Sequence, residues 1–309
     1  MIRRLLCAFL AGLAILITGC AQDEAPVIFS LPAAGDASAA EAWHPLLTGL
    51  RKATGRRVQP MRGSSQGAAI DALRFGQVDL AWFDATAALE AVRRADVEVF
   101  ARPVRPWAPD GERALLIVRK GSGPRLSGIV ACDRSLVIGL GEPGSIEGDL
   151  APAAYLFRPR GIDPHRCFRS LRTASAEANL YGVATGVLDA AIIDAGALTR
   201  FGQRPTAGGA PAKQVESVWA SPVLPDAFLV RRKAMPAPLK ASIADFLFDY
   251  DGPSLNALGI QRFGPAENAA LDPLRLMLAS QQLAEAEARR DPSAIARAQA
   301  ELAAVAAAH

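Results

Sequence analysis

Leu73-Arg-Phe-Gly76-Gln-Val-Asp79-Leu-Ala81 and Val183-Ala-Thr-Gly186-Val-Leu-Asp189-Ala-Ala191 are one structural sentence written twice. Each begins as the end of a helix and reaches a glycine suited to the left-handed position that closes helices. Two residues later comes an aspartate, and then an apolar run short enough to be a buried strand. Working outward from the first copy, residues 27–31, 57–62, 78–83, 97–104 and 114–119 read as strands. Helices are expected over 39–54, where Trp43, Leu46, Leu47 and Leu50 share a face, and over 67–75 and 85–95. Around the second copy the pattern restarts. Strands are expected at 136–140, 167–172 and 190–194, with helices at 149–157 and 177–187. Such alternation implies parallel sheets with helices on both faces. Because the echo occupies the same place in each half, two similar α/β lobes are expected.

The division follows from composition. The Gly/Pro-rich stretches 121–128 and 205–211 flank the second half as linkers. Strands at 214–219 and 228–231 have to go somewhere, and a return to the first lobe is the natural course. Lobe one is therefore 27–118 plus 219–262, and lobe two is the insertion 119–218. Residues 263–309 form a helical tail. In it, Asp272-Pro273 and Asp291-Pro292 each set an N-cap before a first-turn proline. Residues 272–290 and 291–308 should be two helices, lying on the lobes through Leu274, Leu278, Ile295, Leu302 and Val305.

The start of the chain is a targeting segment. Arg3 and Arg4 precede an apolar run from Leu5 to Ile17, too short to cross a bilayer but right for a signal peptide. Ile17-Thr18-Gly19-Cys20 resembles the bacterial lipobox. Residues 1–19 are thus expected to be cleaved and Cys20 lipidated, with 20–26 as a tether to a membrane that the chain does not span.

Removing the leader takes 34 basic residues to 32 against 31 acidic, a net charge of about +1. With no basic block and no aromatic-interleaved stripe, nucleic acid is not an expected partner. Three histidines, His44, His165 and His309, cannot assemble a His-rich metal site. No metal and no cofactor is expected. Cys132 and Cys167 remain after Cys7 and Cys20 are assigned, either as a disulfide or as two buried thiols.

Two short motifs carry chemistry. Gly63-Ser64-Ser65-Gln66-Gly67 matches the nucleophile-elbow pattern of hydrolases, with Ser65 as the nucleophile. A histidine base must follow it, and only His165 and His309 do. Gly139-Leu-Gly141-Glu-Pro-Gly144 matches a dinucleotide fingerprint, but Pro143 interrupts the helix start that the motif needs. Both make better sense as small-residue loops leading from strand ends into helix N-termini, where free N–H groups receive anions. Ser64, Ser65 and Ser145 add hydroxyls. One loop from each lobe would grip a small oxyanion across a cleft, without covalent chemistry.

Taken in order, Trp43-His-Pro-Leu-Leu, Ala72-Leu-Arg-Phe-Gly-Gln-Val-Asp-Leu-Ala-Trp-Phe83, Gly141-Glu-Pro-Gly-Ser145, Glu177-Ala-Asn179 and Ser221-Pro-Val-Leu-Pro225 resemble the phosphonate/phosphite/phosphate-binding proteins of ABC importers. The resemblance implies a two-lobed type 2 periplasmic binding fold in the cell envelope, hinge closure on a small oxyanion, and delivery to an ABC permease. It implies no enzyme activity. It also places ligand contacts: family tyrosines stand where this chain has Gln66 and Phe83. The family's Ser-Thr-Ser-Gly loop is Ser145-Ile146-Glu147-Gly148 here. Its histidine is replaced by Ala176, with Glu177 and Asn179 kept, and its late acidic residue falls at Asp226 or Ala227. The substitution at Glu147 has two outcomes: it points outward on the first helical turn, or the ligand has a cationic part for Asp84, Glu147 or Asp194. Beside transport stand two other readings, an envelope sensor or scaffold on the same fold, and a Ser65 hydrolase.

Overall fold

The computed structural model describes residues 25–32, 37–109, 111–202, 204 and 209–307. The leader 1–19, Cys20, most of the tether and His309 lie outside the described residues. The chain runs β1 (Val27–Leu31), α1 (Ala37–Thr54), β2 (Val58–Arg62), α2 (Gln66–Arg74), β3 (Leu80–Asp84), α3 (Ala85–Arg94), β4 (Val97–Val104) and β5 (Ala114–Arg119). After the single turn α4 (Leu126–Ile129) and β6 (Val137–Leu140), wide helical turns cover Ile146–Leu150 and Pro152–Phe157. Next come α5 (Pro164–Cys167), β7 (Ser170–Thr173), α6 (Ala176–Thr185), β8 (Ala190–Asp194), α7 (Ala195–Arg200), β9 (Val215–Ala220) and β10 (Ala227–Arg232). The chain ends with α8 (Ala237–Phe248), α9 (Ser254–Ala257), β11 (Arg262–Pro265), α10 (Asp272–Arg289) and α11 (Pro292–Ala307).

Two sheets form, in the orders β2-β1-β3-β10-β4-β11 and β7-β6-β8-β5-β9. Apart from edge strand β11 they have one plan: three parallel strands, an antiparallel one, then a fifth. The repeated junction explains the likeness. Gly76 and Gly186 sit at φ +71° and +82°, which glycine tolerates without strain. Asp79 then accepts the Ile28 N–H at 2.9 Å, and Asp189 the Val137 N–H at 2.7 Å. In each lobe this aspartate fixes the first residues of the middle strand against its parallel neighbour.

The lobe boundaries require correction. Ala114–Arg119 pairs with β8 and β9, so the second sheet begins at 114 and not after 118. Val215–Ala220 is also in that sheet, so the return lies at 221–226 and not at 219. Arg262–Pro265 pairs with β4, so lobe one runs on to 265 and the tail is shorter than expected. The strand expected over 167–172 begins only at Ser170, because 164–167 is a helical turn that Asp163 caps through the His165 N–H. Cys132 and Cys167 are joined by a disulfide, which ties the 126–132 segment to the entry of β7.

Helices α1 and α8 cover one face of sheet one, where Phe29, Leu46, Leu50, Leu229, Ile243 and Leu247 are buried. Side chains of this size contribute about 1.5–3 kcal/mol each on burial. On the other face, α2 and α3 pack through Ile70, Leu73 and Leu89. The apolar cluster there continues through Leu271, Leu274 and Met277 of the tail to Leu150, Leu156 and Phe157 of lobe two. The tail thus spans both lobes, with Arg158 Nη1 donating to Ser280 Oγ at 2.6 Å and Arg93 paired to Glu301 at 3.4 Å.

Candidate ligand-binding cleft

Strands β3 and β8 end in Asp84 and Asp194, each immediately followed by a helix. The two connections between the lobes, 105–113 and 221–226, leave from the same ends of the sheets. The cleft is therefore bounded by strand C-termini from both lobes, the usual ligand position in open α/β sheets.

On lobe one, Ser65 is the N-cap of α2, its Oγ accepting the Ala68 N–H at 3.1 Å. Gln66 opens the helix and donates through Nε2 to Asp84 Oδ2, while Asp84 Oδ1 caps α3 at the Ala87 N–H, 2.8 Å away. Ser64 is exposed beside them. Phe83 is buried and lines a small hollow with Ser30, Ser65, Gln66 and Trp82. The hydrolase reading of Ser65 is not supported. Its oxygen serves as a cap, and His165 lies in α5, which enters β7 at the end of lobe two away from the cleft. The glycine-elbow pattern arises because a small loop and a serine cap suit any strand-to-helix turn.

On lobe two, Gly141 donates to the Gly148 carbonyl at 3.0 Å, folding the loop onto itself. A Cβ built on Gly148 would lie 2.6 Å from Gly141 Cα, so only glycine permits this approach. Ser145 Oγ donates to the Glu142 carbonyl at 2.6 Å, and Asp149 accepts the Gly144 N–H at 2.7 Å. First-turn N–H groups at Ile146 and Gly148 have no acceptor within the helix, while that of Glu147 is taken by its own carboxyl. The outward placement of Glu147 is corrected here. Its carboxyl is largely enclosed, and burial pushes its pKa up to about 7. Asp194, Glu112 and Asp226 add to the rise, against a hydrogen bond from its own backbone N–H.

Most of the neighbouring charges have partners. Asp194 pairs with Arg200 at 2.6 Å and Asp226 with Arg105 at 2.8 Å. Glu177, in the first turn of α6, pairs with Arg204 at 2.8 Å. Asn179 is wholly buried, and its Nδ2 donates to the Leu140 and Ile192 carbonyls at 3.0 and 3.1 Å. It joins the strand ends that carry the loop and Asp194.

The connector 105–113 holds functional groups that the motif reading missed. Arg105 reaches Asp226 on the other connector and the Leu258 and Gly259 carbonyls of lobe one. Trp107 lies 5.9 Å from both Arg105 and Arg200, and its Nε1–H donates to Glu112 at 3.3 Å. Glu112 also accepts the Gly196 N–H of α7. These contacts hold the hinge to both lobes, beside a cavity of about 300 Å³ lined by Arg105, Glu112, Leu224, Asp226, Phe228 and Pro273. The available signal was an irregular stretch rich in aromatic and charged residues, Arg105-Pro-Trp-Ala-Pro-Asp-Gly-Glu112.

Two lobes, two connectors and a cleft of facing loops define a binding protein that closes on a small ligand. Over residues 28–271 the chain matches the family of phosphonate periplasmic substrate-binding proteins of ABC transporters, and it belongs to that family. It is 30% identical over 236 residues to a phosphonates-binding periplasmic protein of Escherichia coli, covering 76% of this chain and 69% of that protein. A solved binding-protein component of a Pseudomonas aeruginosa phosphonate transporter shares 27% identity at a TM-score of 0.62, covering 91% of this chain and 96% of that one. PhnD1 of Prochlorococcus marinus in complex with methylphosphonate shares the fold, with 16% identity and a TM-score of 0.55, covering 82% of this chain and 96% of that one. The chain is thus a substrate-binding component of an ABC transporter. Among the described residues, no helix is long and apolar enough to cross a membrane.

Proposed function

We propose that this chain, anchored through a lipid on Cys20 after removal of 1–19, captures a phosphonate-class oxyanion in the cleft and hands it to a membrane permease. The observation that carries the ligand class is the pairing of loops: Ser64-Ser65-Gln66 opens α2, and Ser145-Ile146-Glu147-Gly148 opens the facing turn. Backbone N–H groups are oxyanion donors in either lobe, and the Ser64 and Ser65 hydroxyls add to them on lobe one. Asp84, Glu177, Asp194 and Asp226 form the polar rim, and Phe83 backs the lobe-one side. The family match and the E. coli relative's name support the same class of ligand.

The test is thermal unfolding of the mature protein with methylphosphonate, phosphite, phosphate or sulfate. A ligand at about 100 times its Kd stabilises by about 2.7 kcal/mol, or roughly 5–10 °C for a chain of this size. A flat response to every phosphorus oxyanion at millimolar concentration would sink the reading. The anchor is tested separately: mass spectrometry of the protein purified from its envelope should find Cys20 as the first residue and carrying acyl chains, and an unmodified or different amino terminus would remove the anchor from the reading.

A further inference from the structure

We infer that the base of lobe one, the end away from the cleft, is a membrane-contact surface that rests on anionic phospholipid, with the Phe75 ring set among the headgroups. The inference deepens the reading in which Cys20 carries a lipid, and its test separates the surface from the anchor.

The geometry starts where the described chain begins. Strands β1 and β3 are parallel, and β3 ends at the cleft in Asp84, so β1 starts at the opposite end of the sheet. Two turns flank that start. The Val27 N–H donates to the Arg57 carbonyl at 2.8 Å, and the Asp79 N–H to the Ile28 carbonyl at 2.9 Å. The tether therefore enters the fold between the turn from α1 to β2 and the turn from α2 to β3. The chain from Cys20 to Val27 spans at most about 25 Å when fully extended. An acylated Cys20 thus holds this end of the lobe within that distance of the bilayer.

The same two turns carry the groups that a lipid surface receives. Arg51 and Lys52 are exposed in the last turn of α1, and Arg74 in the last turn of α2. Among the described residues, no carboxylate pairs with these three. The nearby acids are engaged already: Asp79 by the Ile28 N–H and Arg232, Asp71 by Arg94, and Asp96 by Lys233. The tether's Asp23 and Glu24 are outnumbered by Arg51, Lys52, Arg56, Arg57 and Arg74. Phe75 closes α2 and is 69% exposed, with the Arg74 guanidinium 5.7 Å from its ring centroid. A lone exposed ring needs no explanation. One beside the tether's entry and among unpaired cations suits a headgroup layer, where the ring meets the acyl boundary and the cations meet phosphates. Seated this way, lobe one stands on the membrane by its base, and the cleft opens at the far ends of the strands.

The test is sedimentation of the lipid-free mature chain from Ala21, which keeps every described element, with vesicles at millimolar lipid. The vesicles are phosphatidylcholine alone or with about a third phosphatidylglycerol, in about 0.1 M salt. Without acyl chains, the protein surface is the only hold. Wild type should sediment with the anionic vesicles and not the neutral ones, and about 0.5 M salt should release it. The variant Lys52→Gln with Arg74→Gln and Phe75→Ser should lose about twentyfold or more in partition, since each basic residue near an anionic surface contributes about fivefold. Phe75→Ser alone should lose severalfold, which serves if the triple variant does not fold. A matched variant at the base of lobe two, Arg166→Gln with Arg169→Gln and Val187→Ser, removes the same charge and one exposed apolar side chain. It should bind within about twofold of wild type. Equal sedimentation with both vesicles, none with either, or equal losses in the two triple variants would overturn the inference. The anchor is decided apart, by the mass of the amino-terminal peptide. An unmodified Cys20 with selective vesicle binding removes the anchor and leaves the surface. An acylated Cys20 without that selectivity removes the surface and leaves the anchor.

Discussion

Replacing Asp79 or Asp189 by alanine should destabilise one lobe at a time. Each aspartate accepts the N–H of the second or first residue of a neighbouring strand, Ile28 at 2.9 Å and Val137 at 2.7 Å. A hydrogen bond to a charged group contributes about 1.5–3 kcal/mol, and its loss leaves a half-buried N–H unpaired. We expect about 2 kcal/mol for Asp189→Ala. For Asp79→Ala a few tenths more are expected, because it also loses Arg232 at 3.3 Å in a partly exposed pair. With a urea m-value of about 2 kcal/mol/M for a lobe, the midpoint falls by roughly 1 M. The assay is equilibrium urea unfolding under oxidising conditions. If the lobes unfold separately, Asp79→Ala should move one transition and Asp189→Ala the other. The double variant should be additive, because the sites lie in different sheets. An Asp189→Ala protein within 0.5 kcal/mol of wild type would refute the role given to the repeated junction.

Further outcomes follow from the cleft and its supports. Ser65→Ala should cost about 1 kcal/mol through loss of the α2 cap, read as a lower Tm, and change no esterase background. Gly148→Ala should abolish phosphonate binding and lower stability by about 1–3 kcal/mol, because its Cβ meets Gly141 backbone. Cysteine-to-serine replacement at Cys132 should destabilise by up to about 4 kcal/mol, the loop-entropy value for a separation of 35 residues, measured against oxidised wild type. The raised pKa of Glu147 makes the unliganded fold hold a proton that the unfolded chain gives up. Its contribution is therefore neutral below about pH 4.5 and increasingly destabilising as pH rises through about 7. The rise from 4.5 to about 7 corresponds to at most about 3 kcal/mol. Glu147→Gln should accordingly raise Tm at pH 8 and leave it nearly unchanged at pH 4.5.

How far the sequence could be read depended on the range of the interactions. The junctions at Gly76 and Gly186 are local, and their glycines, aspartates and following strands were legible from spacing alone. Helices α10 and α11 were legible too from their early prolines; Asp291 caps α11 as expected, whereas Asp272 is the first residue of α10 and Leu271 its N-cap. Partner choice was not local. Nothing in Ala114–Arg119 says that it pairs with β8 across some 80 residues, so chain order alone places this apolar strand in the wrong lobe. The cleft divides the same way. Ser65 and Ser145 stand out from strand-to-helix turns alone, whereas Gln66 and the rest of the Ser145–Gly148 loop stand out only through the family resemblance, and Asp84 only as a partner for a cationic ligand. Glu112, Trp107, Arg105 and Arg200 act through contacts across the hinge, and an irregular connector carries no periodicity to reveal them. Glu147 was found, but its enclosure was not, since burial depends on β8 and both connectors arriving around it.

The pairing order also has a consequence for how the chain is made. All five strands of the second sheet come from one continuous stretch, 114–220. The first sheet joins β1–β4 to β10 and β11, which emerge only after that stretch. Closing so long a loop between folded parts costs little extra once the inserted stretch is itself compact. Lobe two can therefore assemble as a unit while lobe one waits, with β3 and β4 lacking the strand that must lie between them. An amino-terminal piece ending before 227 would present those two unfilled edges to its neighbours, the arrangement most prone to wrong strand addition.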